Sequence, residues 1–82
     1  MIHVHYFARY RETLGVGDER LNWDESFARI DDLRRHLLDR GGNWQVLAER
    51  NLMCARNQDL CGLDEPLADG DEIAFFPTVT GG

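Results

Sequence analysis

The chain contains 82 residues with a formal net charge of −6, and 43% of its residues are hydrophobic. A chain of this length forms one small domain with a modest core, which favours a carrier or binding module over an enzyme that encloses its own active site. The acidic balance argues against a nucleic-acid partner, because a phosphate backbone repels such a surface.

The first third of the sequence predicts a strand over residues 2–8, a short helical turn over 10–14 and a second, more polar strand over 19–23. Gly15 ends the helical turn, and together with Gly17 it brackets a tight connection. We expect the second strand to pair antiparallel with the first and to lie at an edge of the sheet. The alternation in the first strand divides its side chains between two faces, with Ile2, Val4 and Tyr6 on one face and His3, His5 and Phe7 on the other.

The middle of the sequence predicts two helices. Apolar residues from Ile30 to Leu38 recur at helical spacing, with acidic residues in the first turn and arginines later, an order that complements the helix dipole. Gly41 and Gly42 supply the stop. Residues 44–49 predict a second short helix, with Asn43 as its cap.

The last third returns to strands. Residues 52–56 and 60–62 flank Asn57-Gln58-Asp59, which predicts a hairpin. Asp69-Gly70-Asp71 marks a turn. Residues 72–77 form a strand whose continuous apolar run indicates burial or contact on both faces.

This order of elements predicts two packed layers, with a sheet on one side and a helix on the other. The first and last strands are the most apolar, so we place them side by side and parallel at the centre of the sheet. The result is an α+β fold of the β-grasp type seen in ubiquitin-like proteins, with a mixed sheet of about five strands and one main helix across it. We expect the domain to cover residues 1–77 and a flexible tail to cover residues 78–82.

The chain ends in a thin tail after Pro77, and its last two residues are glycines. Glycine has no side chain to anchor a terminus, and it loses the most conformational freedom on ordering. Five extended residues reach at most about 16–18 Å, which is enough to enter a pocket of another protein. We therefore expect Val79, Thr80 and Gly81 to thread into a narrow site and Gly82 to present its carboxylate there. The alternative is a frayed terminus without a function.

With this ending, the sequence resembles the small, sulfur-carrying subunit of molybdopterin synthase. The resemblance covers nearly the whole length and is most specific over residues 69–82, whereas the middle helix is generic. Thr78 is a departure, because many members of that family have a second proline there. The residues that carry the resemblance are Ile2, Val4, Phe7, Ala8, Arg11, Glu12, Gly15, Leu33, Asn57, Gln58, Pro66, Leu67, Asp69, Gly70, Asp71, Glu72, Phe75, Phe76, Pro77, Gly81 and Gly82.

The resemblance implies that Gly82 is the chemical handle. An ATP-dependent adenylyltransferase would activate its carboxylate, and a persulfide protein would supply sulfur to give a thiocarboxylate. The loaded tail would then enter the large subunit of the synthase and donate sulfur to the cyclic pyranopterin monophosphate precursor, building the molybdopterin dithiolene. The chain itself would be a non-catalytic carrier without a permanently bound cofactor, because the catalytic pocket would lie on the large subunit.

Docking needs a surface as well as a tail. Phe7 lies on the face of the first strand that is opposite to Ile2 and Val4. Phe76 is expected beside it on the outward face of the last strand. Leu60 and Pro77 are further candidates for this interface. An exposed apolar patch of this kind commonly marks a contact with another protein. The alternative is that these residues fill the core.

Other residues with chemical potential have simpler interpretations. His3 and His5 share a strand face, but the sequence implies no third ligand, so we interpret them as surface histidines and expect no metal site. Cys54 and Cys61 do not form a metal quartet or a disulfide framework, and burial as small hydrophobes is favoured over a redox or sulfur-relay role. One cysteine pair without a signal peptide predicts reduced thiols in the cytoplasm. No apolar run approaches the length of a membrane span.

Three other functions remain open. A sulfur carrier of thiamine biosynthesis has a similar tail, although such chains are typically shorter and lack a helical insert like residues 44–49. A ubiquitin-like modifier joined to target lysines is a second possibility. A β-grasp interaction module with an inert tail is the third.

Overall fold

The computed structural model describes residues 1–78, which form one mixed sheet with helices on one side. A 3₁₀ helix covers Gly42–Ala48. The strands and α-helices, in chain order, are β1 (Ile2–Tyr6), α1 (Ala8–Leu14), β2 (Asp18–Leu21), α2 (Ile30–Leu38), β3 (Met53–Arg56), β4 (Asp59–Cys61) and β5 (Glu72–Phe76).

The strand order in the sheet is β2-β1-β5-β3-β4, so β5 is the central strand. β1 and β5 are parallel, with Val4 opposite Ile73, and the other neighbouring pairs are antiparallel. The first and last strands therefore meet at the centre and β2 lies at an edge, as the sequence predicted. The predicted β-grasp fold is confirmed.

The core lies between the helical layer and one face of the sheet. Alternation in β1 and β5 buries every second side chain, because successive side chains of a strand point to opposite faces. α2 contributes the other half of the core from one apolar stripe. The fully buried residues of these three elements are Ile2, Val4, Tyr6, Ile30, Leu33, Leu37, Ile73 and Phe75.

The start of α2 is held by an acidic residue inside the first turn. Asp32 Oδ2 accepts hydrogen bonds from the backbone N–H groups of Arg29, at 2.9 Å, and Ala28, at 3.0 Å. These donors would otherwise lack partners within the helix. Asp32 therefore caps the helix directly as well as complementing its dipole.

Several predicted boundaries were wrong. The second short helix is a 3₁₀ helix that begins at Gly42, directly after Gly41, whose φ is 74°. Asn43 therefore lies inside this helix and is not its cap. β1 stops at Tyr6, because Ala8 takes a positive φ of 54° and starts α1. β2 begins at Asp18 and ends at Leu21, short of Trp23.

The hairpin between β3 and β4 has the predicted position. Asn57 and Gln58 both have positive φ, at 50° and 74°, as a tight two-residue loop of type I′ requires. Asn57 also accepts a 2.9 Å hydrogen bond from the backbone N–H of Glu72. This bond joins the hairpin to the start of β5. None of the helices within residues 1–78 combines the length and the hydrophobicity that crossing a bilayer requires.

Candidate docking surface and base of the C-terminal arm

The face of the sheet opposite the helices carries a group of exposed apolar side chains. Phe7 is 48% exposed and Leu60 is 69% exposed, and Phe76 is half-buried between them. With Ala55 and Ala74 these residues line a depression of about 380 Å³. We call these five residues the docking face. Phe7, Leu60 and Phe76 therefore lie on one surface of the sheet, and their role in binding a partner stays a prediction.

The depression exists because small side chains occupy its floor. Ala74 of β5 lies directly opposite Ala55 of β3, and Ala55 in turn lies opposite Leu60 of β4. Alanine ends at Cβ, so the larger side chains of Phe7, Phe76 and Leu60 stand above this floor. The sequence analysis did not select either alanine, although both occupy outward positions in apolar strands.

Polar side chains from β1, from β5 and from the loop between β3 and β4 border the docking face. His5 and Glu72 line the same depression, together with Gln58 from the hairpin. The ring of His5 stacks on that of Phe7, with 6.1 Å between centroids and 7° between planes. An apolar centre with a polar border is the usual anatomy of a protein interface.

Pro77 does not belong to this exposed surface. It is buried within the chain itself, whereas Thr78, which follows it, is exposed. A residue that is already covered in the free chain has little surface left to offer a partner. The interface prediction is therefore not supported for Pro77, whose ring instead packs where β5 ends.

The C-terminal arm starts from the central strand of the sheet. The Thr78 hydroxyl donates a hydrogen bond to the backbone carbonyl of Asn51, in the loop before β3. A shallow depression surrounds this point and is lined by Arg9, Glu49 and Arg50 as well. The other threading residues and the proposed handle, Val79, Thr80, Gly81 and Gly82, lie outside the described residues.

A buried tyrosine and two charged side chains organise the base of the arm. Glu49 Oε1 lies 2.6 Å from both Arg9 Nη2 and Tyr10 Oη. Hydrogen bonds from Arg9 and then from Tyr10 hold the pKa of Glu49 below its usual range. Burial, followed by the hydrogen bond to Glu49, raises the pKa of Tyr10. This cluster ties α1 to the segment after the 3₁₀ helix, beside the point where the arm leaves the domain.

Asp71 holds the start of β5, a role that the sequence analysis missed when it assigned this residue to a turn. Its carboxylate accepts hydrogen bonds from Arg56 Nε at 2.9 Å, Ala68 N at 2.8 Å and Asn57 Nδ2 at 3.1 Å. Partial burial alone would raise its pKa, but the hydrogen bonds from Ala68, Asn57 and Arg56 outweigh it and lower the pKa below the usual range. Asp71 is thus an ionised structural anchor.

Cys54 and Cys61 lie opposite each other in β3 and β4 as free thiols, with 3.9 Å between their sulfur atoms. Burial, with a smaller contribution from Cys61, raises the pKa of Cys54 to about 12. A thiol with so high a pKa is almost fully protonated at neutral pH and is a poor nucleophile. The interpretation of Cys54 as a buried small hydrophobe is therefore supported; Cys61 is only partly buried.

The expectation that no third ligand accompanies His3 and His5 was wrong. Glu72 of β5 lies opposite His3 and brings its carboxylate to both imidazoles. Neighbouring strands that are distant in sequence create this group. The sequence could have indicated it only through the β1–β5 register.

The fold defines a small ubiquitin-like β-grasp protein whose sheet carries an exposed apolar surface on the face opposite the helices. The chain belongs to the ThiS family, whose model matches residues 4–82.

The similarity extends over the whole chain. The molybdopterin synthase sulfur carrier subunit of Escherichia coli is 42% identical over an alignment that covers 100% of both chains. Among solved structures, SAMP1 from Haloferax volcanii is 26% identical with a TM-score of 0.79, covering 99% of this chain and 98% of that one. Subunit 1 in the complex of subunits 1 and 2 of molybdopterin-converting factor from Helicobacter pylori is 24% identical with a TM-score of 0.66, covering 99% and 97%. This last likeness shows the shared fold.

Proposed function

We propose that the chain is the sulfur-carrier subunit of a molybdopterin synthase. Its central support is the 42% identity to the Escherichia coli carrier subunit over the full length of both chains. The last two residues of the given sequence, Gly81 and Gly82, agree with a role as the carrier end. The described geometry is compatible, because the central strand β5 leads directly into the arm and the docking face lies on the same sheet. The arm delivers the sulfur, and the docking face binds the subunit that uses it.

The chemistry takes place on Gly82. A carboxylate is a poor electrophile because its negative charge is delocalised and its oxygen is a poor leaving group. An ATP-dependent adenylyltransferase would join it to AMP, and the terminal sulfur of a persulfide protein would then displace AMP to give an acyl disulfide. A second thiol of the donor machinery would cleave its S–S bond, leaving a thiocarboxylate on Gly82 and a disulfide on the donor. The thiocarboxylate sulfur would attack the cyclic pyranopterin monophosphate precursor to give a thioester, and water would hydrolyse its acyl–sulfur bond, leaving the sulfur on the pterin and a carboxylate on Gly82. Two such transfers would build the dithiolene.

The large subunit of the synthase would provide the catalytic pocket. Its surface would cover Phe7, Leu60 and Phe76, and the arm beyond Pro77 would extend by up to about 16–18 Å into that subunit. Gly81 and Gly82 would let the backbone pass where a Cβ would collide. In this scheme the carrier contributes no acid, base or cofactor of its own.

A cytoplasmic setting is part of the proposal. Cys54 and Cys61 lie directly opposite each other, yet both are free thiols, with their sulfur atoms 3.9 Å apart. Such a pair is compatible with a reducing compartment, where thiols are kept from forming disulfides.

A ubiquitin-like modifier is the alternative with a specific observation in its favour. SAMP1 from Haloferax volcanii, whose name stands for small archaeal modifier protein 1, has the same fold with a TM-score of 0.79. A modifier and a sulfur carrier share the activated terminal glycine. They differ in whether the acyl group ends on sulfur or on a lysine amine of another protein.

One experiment separates these functions. The full-length chain is incubated with ATP, an adenylyltransferase and a persulfide donor, and its intact mass is measured, with a variant lacking Gly82 as the matched control. We expect a gain equal to replacing one oxygen by one sulfur, in the wild type alone. The loaded chain is then mixed with the large subunit and the pterin precursor, and molybdopterin should form. Attachment to other proteins without sulfur loading would contradict the proposal and favour the modifier.

A further inference from the structure

The outward face of the sheet brings together three side chains that are typical ligands of transition metals. His3 and His5 share one face of β1, and the parallel register with β5 places Glu72 directly opposite His3. Ligand atoms from these three residues all lie within 4.8 Å of one another. Each imidazole is about three-quarters covered, with side-chain exposures of 27% for His3 and 25% for His5.

The distances in this group are those of ligands around a common ion. Glu72 Oε2 lies 3.4 Å from His5 Nε2 and 3.9 Å from His3 Nδ1. Tetrahedral ligands held about 2.0–2.1 Å from Zn²⁺ are separated from one another by about 3.3–3.4 Å. One separation matches this value and the other exceeds it by about 0.5 Å, so the His3 ring would have to approach Glu72 when an ion binds.

His5 has a second property expected of a ligand. Its Nε2 is buried and makes no hydrogen bond within the described residues, although it faces the Glu72 carboxylate. Buried polar nitrogens are nearly always satisfied by a hydrogen-bond partner, a water molecule or an ion. A cation between His5 and Glu72 would satisfy both atoms.

Asp18 orients the imidazole of His3. Asp18 belongs to the neighbouring edge strand β2, and its Oδ2 lies 2.6 Å from His3 Nε2. A neutral imidazole that donates its Nε2 proton to Asp18 would have the lone pair of Nδ1 free to bind an ion beside Glu72. Metal-binding histidines commonly donate their second ring N–H to a carboxylate in this way, and the bond selects the tautomer that can bind the ion.

We propose that His3, His5 and Glu72 bind one divalent transition-metal ion of the Zn²⁺ class, with Asp18 as a positioning residue. Two imidazoles and one carboxylate suit Zn²⁺, whereas Mg²⁺ and Ca²⁺ prefer sites built from oxygen atoms. Three protein ligands leave a fourth position for water. The ion joins β1 to β5, the parallel pair at the centre of the sheet.

The site also adjoins the docking face, because His5 and Glu72 line the same depression as Phe7 and Phe76. A bound divalent ion would offset the negative charges of Glu72 and Asp18 at this border. The metal site itself does not depend on the proposed sulfur chemistry, and its test uses the free chain alone.

Binding is tested with the chain free of any affinity tag. Zn²⁺ is titrated by calorimetry, and the thermal unfolding midpoint is followed as its concentration rises, since an ion that binds the folded state stabilises it by mass action. We expect one ion per chain and a rising midpoint. His3→Asn, His5→Asn and Glu72→Gln should each weaken binding by at least about tenfold, and Asp18→Asn should weaken it by about tenfold through loss of orientation.

His36→Asn is the matched control, because His36 lies exposed on α2, where it packs on the ring of Phe27. It should leave Zn²⁺ affinity unchanged. Co²⁺ added to the wild type should give the strong visible absorption of a four-coordinate ion, and ring-nitrogen NMR shifts should move for His3 and His5 but not for His36. These wild-type measurements decide the matter if a variant does not fold. Zn²⁺ affinity that is absent, or that is equal in wild type, His3→Asn and His5→Asn, would show that the group is a network of ion pairs only and would overturn the proposal.

Discussion

Ala74 of β5 and Ala55 of β3 lie directly opposite each other, and their small side chains form the floor of the docking face. Large apolar side chains border this floor, so a partner residue can enter the depression between them. Interface energy concentrates in such well-packed pockets, where a few residues carry most of the binding free energy. The depression is therefore where substitutions should separate docking from folding.

Leu60→Asp should abolish docking without unfolding the chain. Leu60 is 69% exposed, so its replacement should change the free energy of unfolding by less than about 1 kcal/mol, whereas a charge buried at an interface centre costs about 2 kcal/mol or more of binding. Affinity for the large subunit, measured by calorimetry, should fall by at least about thirtyfold. Asn22→Asp adds the same charge beyond β2 and should leave affinity intact. Equal affinities of the two variants would place the interface elsewhere.

Phe76→Asp tests the same surface from the central strand. Phe76 is only half-buried in the free chain, so we expect the variant to stay folded by circular dichroism and to lose partner binding. A loss of the folded signal would instead assign Phe76 to the core, as the sequence alone left open.

Gly81→Ala should leave stability unchanged and slow either activation or sulfur transfer. The argument is steric and comes from the sequence, because Gly81 lies outside the described residues: an added Cβ would collide in a narrow partner channel. Thiocarboxylate formation followed by mass spectrometry, and molybdopterin formation by fluorescence of its oxidised product, separate the two steps. Thr78→Ala changes the base of the arm without adding a Cβ and is the control. Normal turnover of Gly81→Ala would contradict the channel argument.

Asp71→Asn should reduce stability at neutral pH, and the free energy of unfolding of the variant should vary less with pH in the acidic range. The pKa of Asp71 is lower in the folded chain than in the unfolded chain. Its contribution to the free energy of unfolding is therefore complete above the unfolded pKa, near pH 4, and is lost as the pH falls through the folded pKa. Hydrogen bonds to a charged group contribute about 1.5–3 kcal/mol, so urea unfolding at pH 7 should show a loss of that order. The difference between the two chains should shrink as the pH falls below the ordinary pKa of an aspartate. Asp69→Asn, which alters an exposed carboxylate two residues earlier, should behave like the wild type.

Cys54 should resist alkylation more than Cys61. Burial raises the pKa of Cys54 to about 12, so its reactive thiolate is scarce at pH 8, while Cys61 is more accessible. Peptide mass spectrometry after brief treatment with iodoacetamide should find the label mainly on Cys61. Cys61→Ser should remove that label and leave sulfur loading of Gly82 unchanged. If Gly82 of the Cys61→Ser variant did not load sulfur, the result would favour a sulfur-relay role for these cysteines.

Much of the fold was accessible from local patterns. The spacing of Ile30, Leu33 and Leu37 predicted α2, and Gly15 predicted the end of α1, where it takes a left-handed φ of 72°. The sequence could not specify the 3₁₀ helix over Gly42–Ala48, because α and 3₁₀ turns share the same local pattern and differ by one residue in hydrogen-bond spacing.

The sequence by itself determined the β-grasp layers, the opposite parity of Phe7 to Ile2 and Val4, and the glycine ending, because residue parity along a strand and the chemistry of a terminus are local properties. Only the tertiary structure decided that Ala55 and Ala74 form one floor, that Pro77 is covered, that Asp71 is a hydrogen-bonded anchor and that Glu72 joins His3 and His5. These relationships depend on the register between strands that are distant in the chain. That register is set by packing of the whole core and not by any one segment.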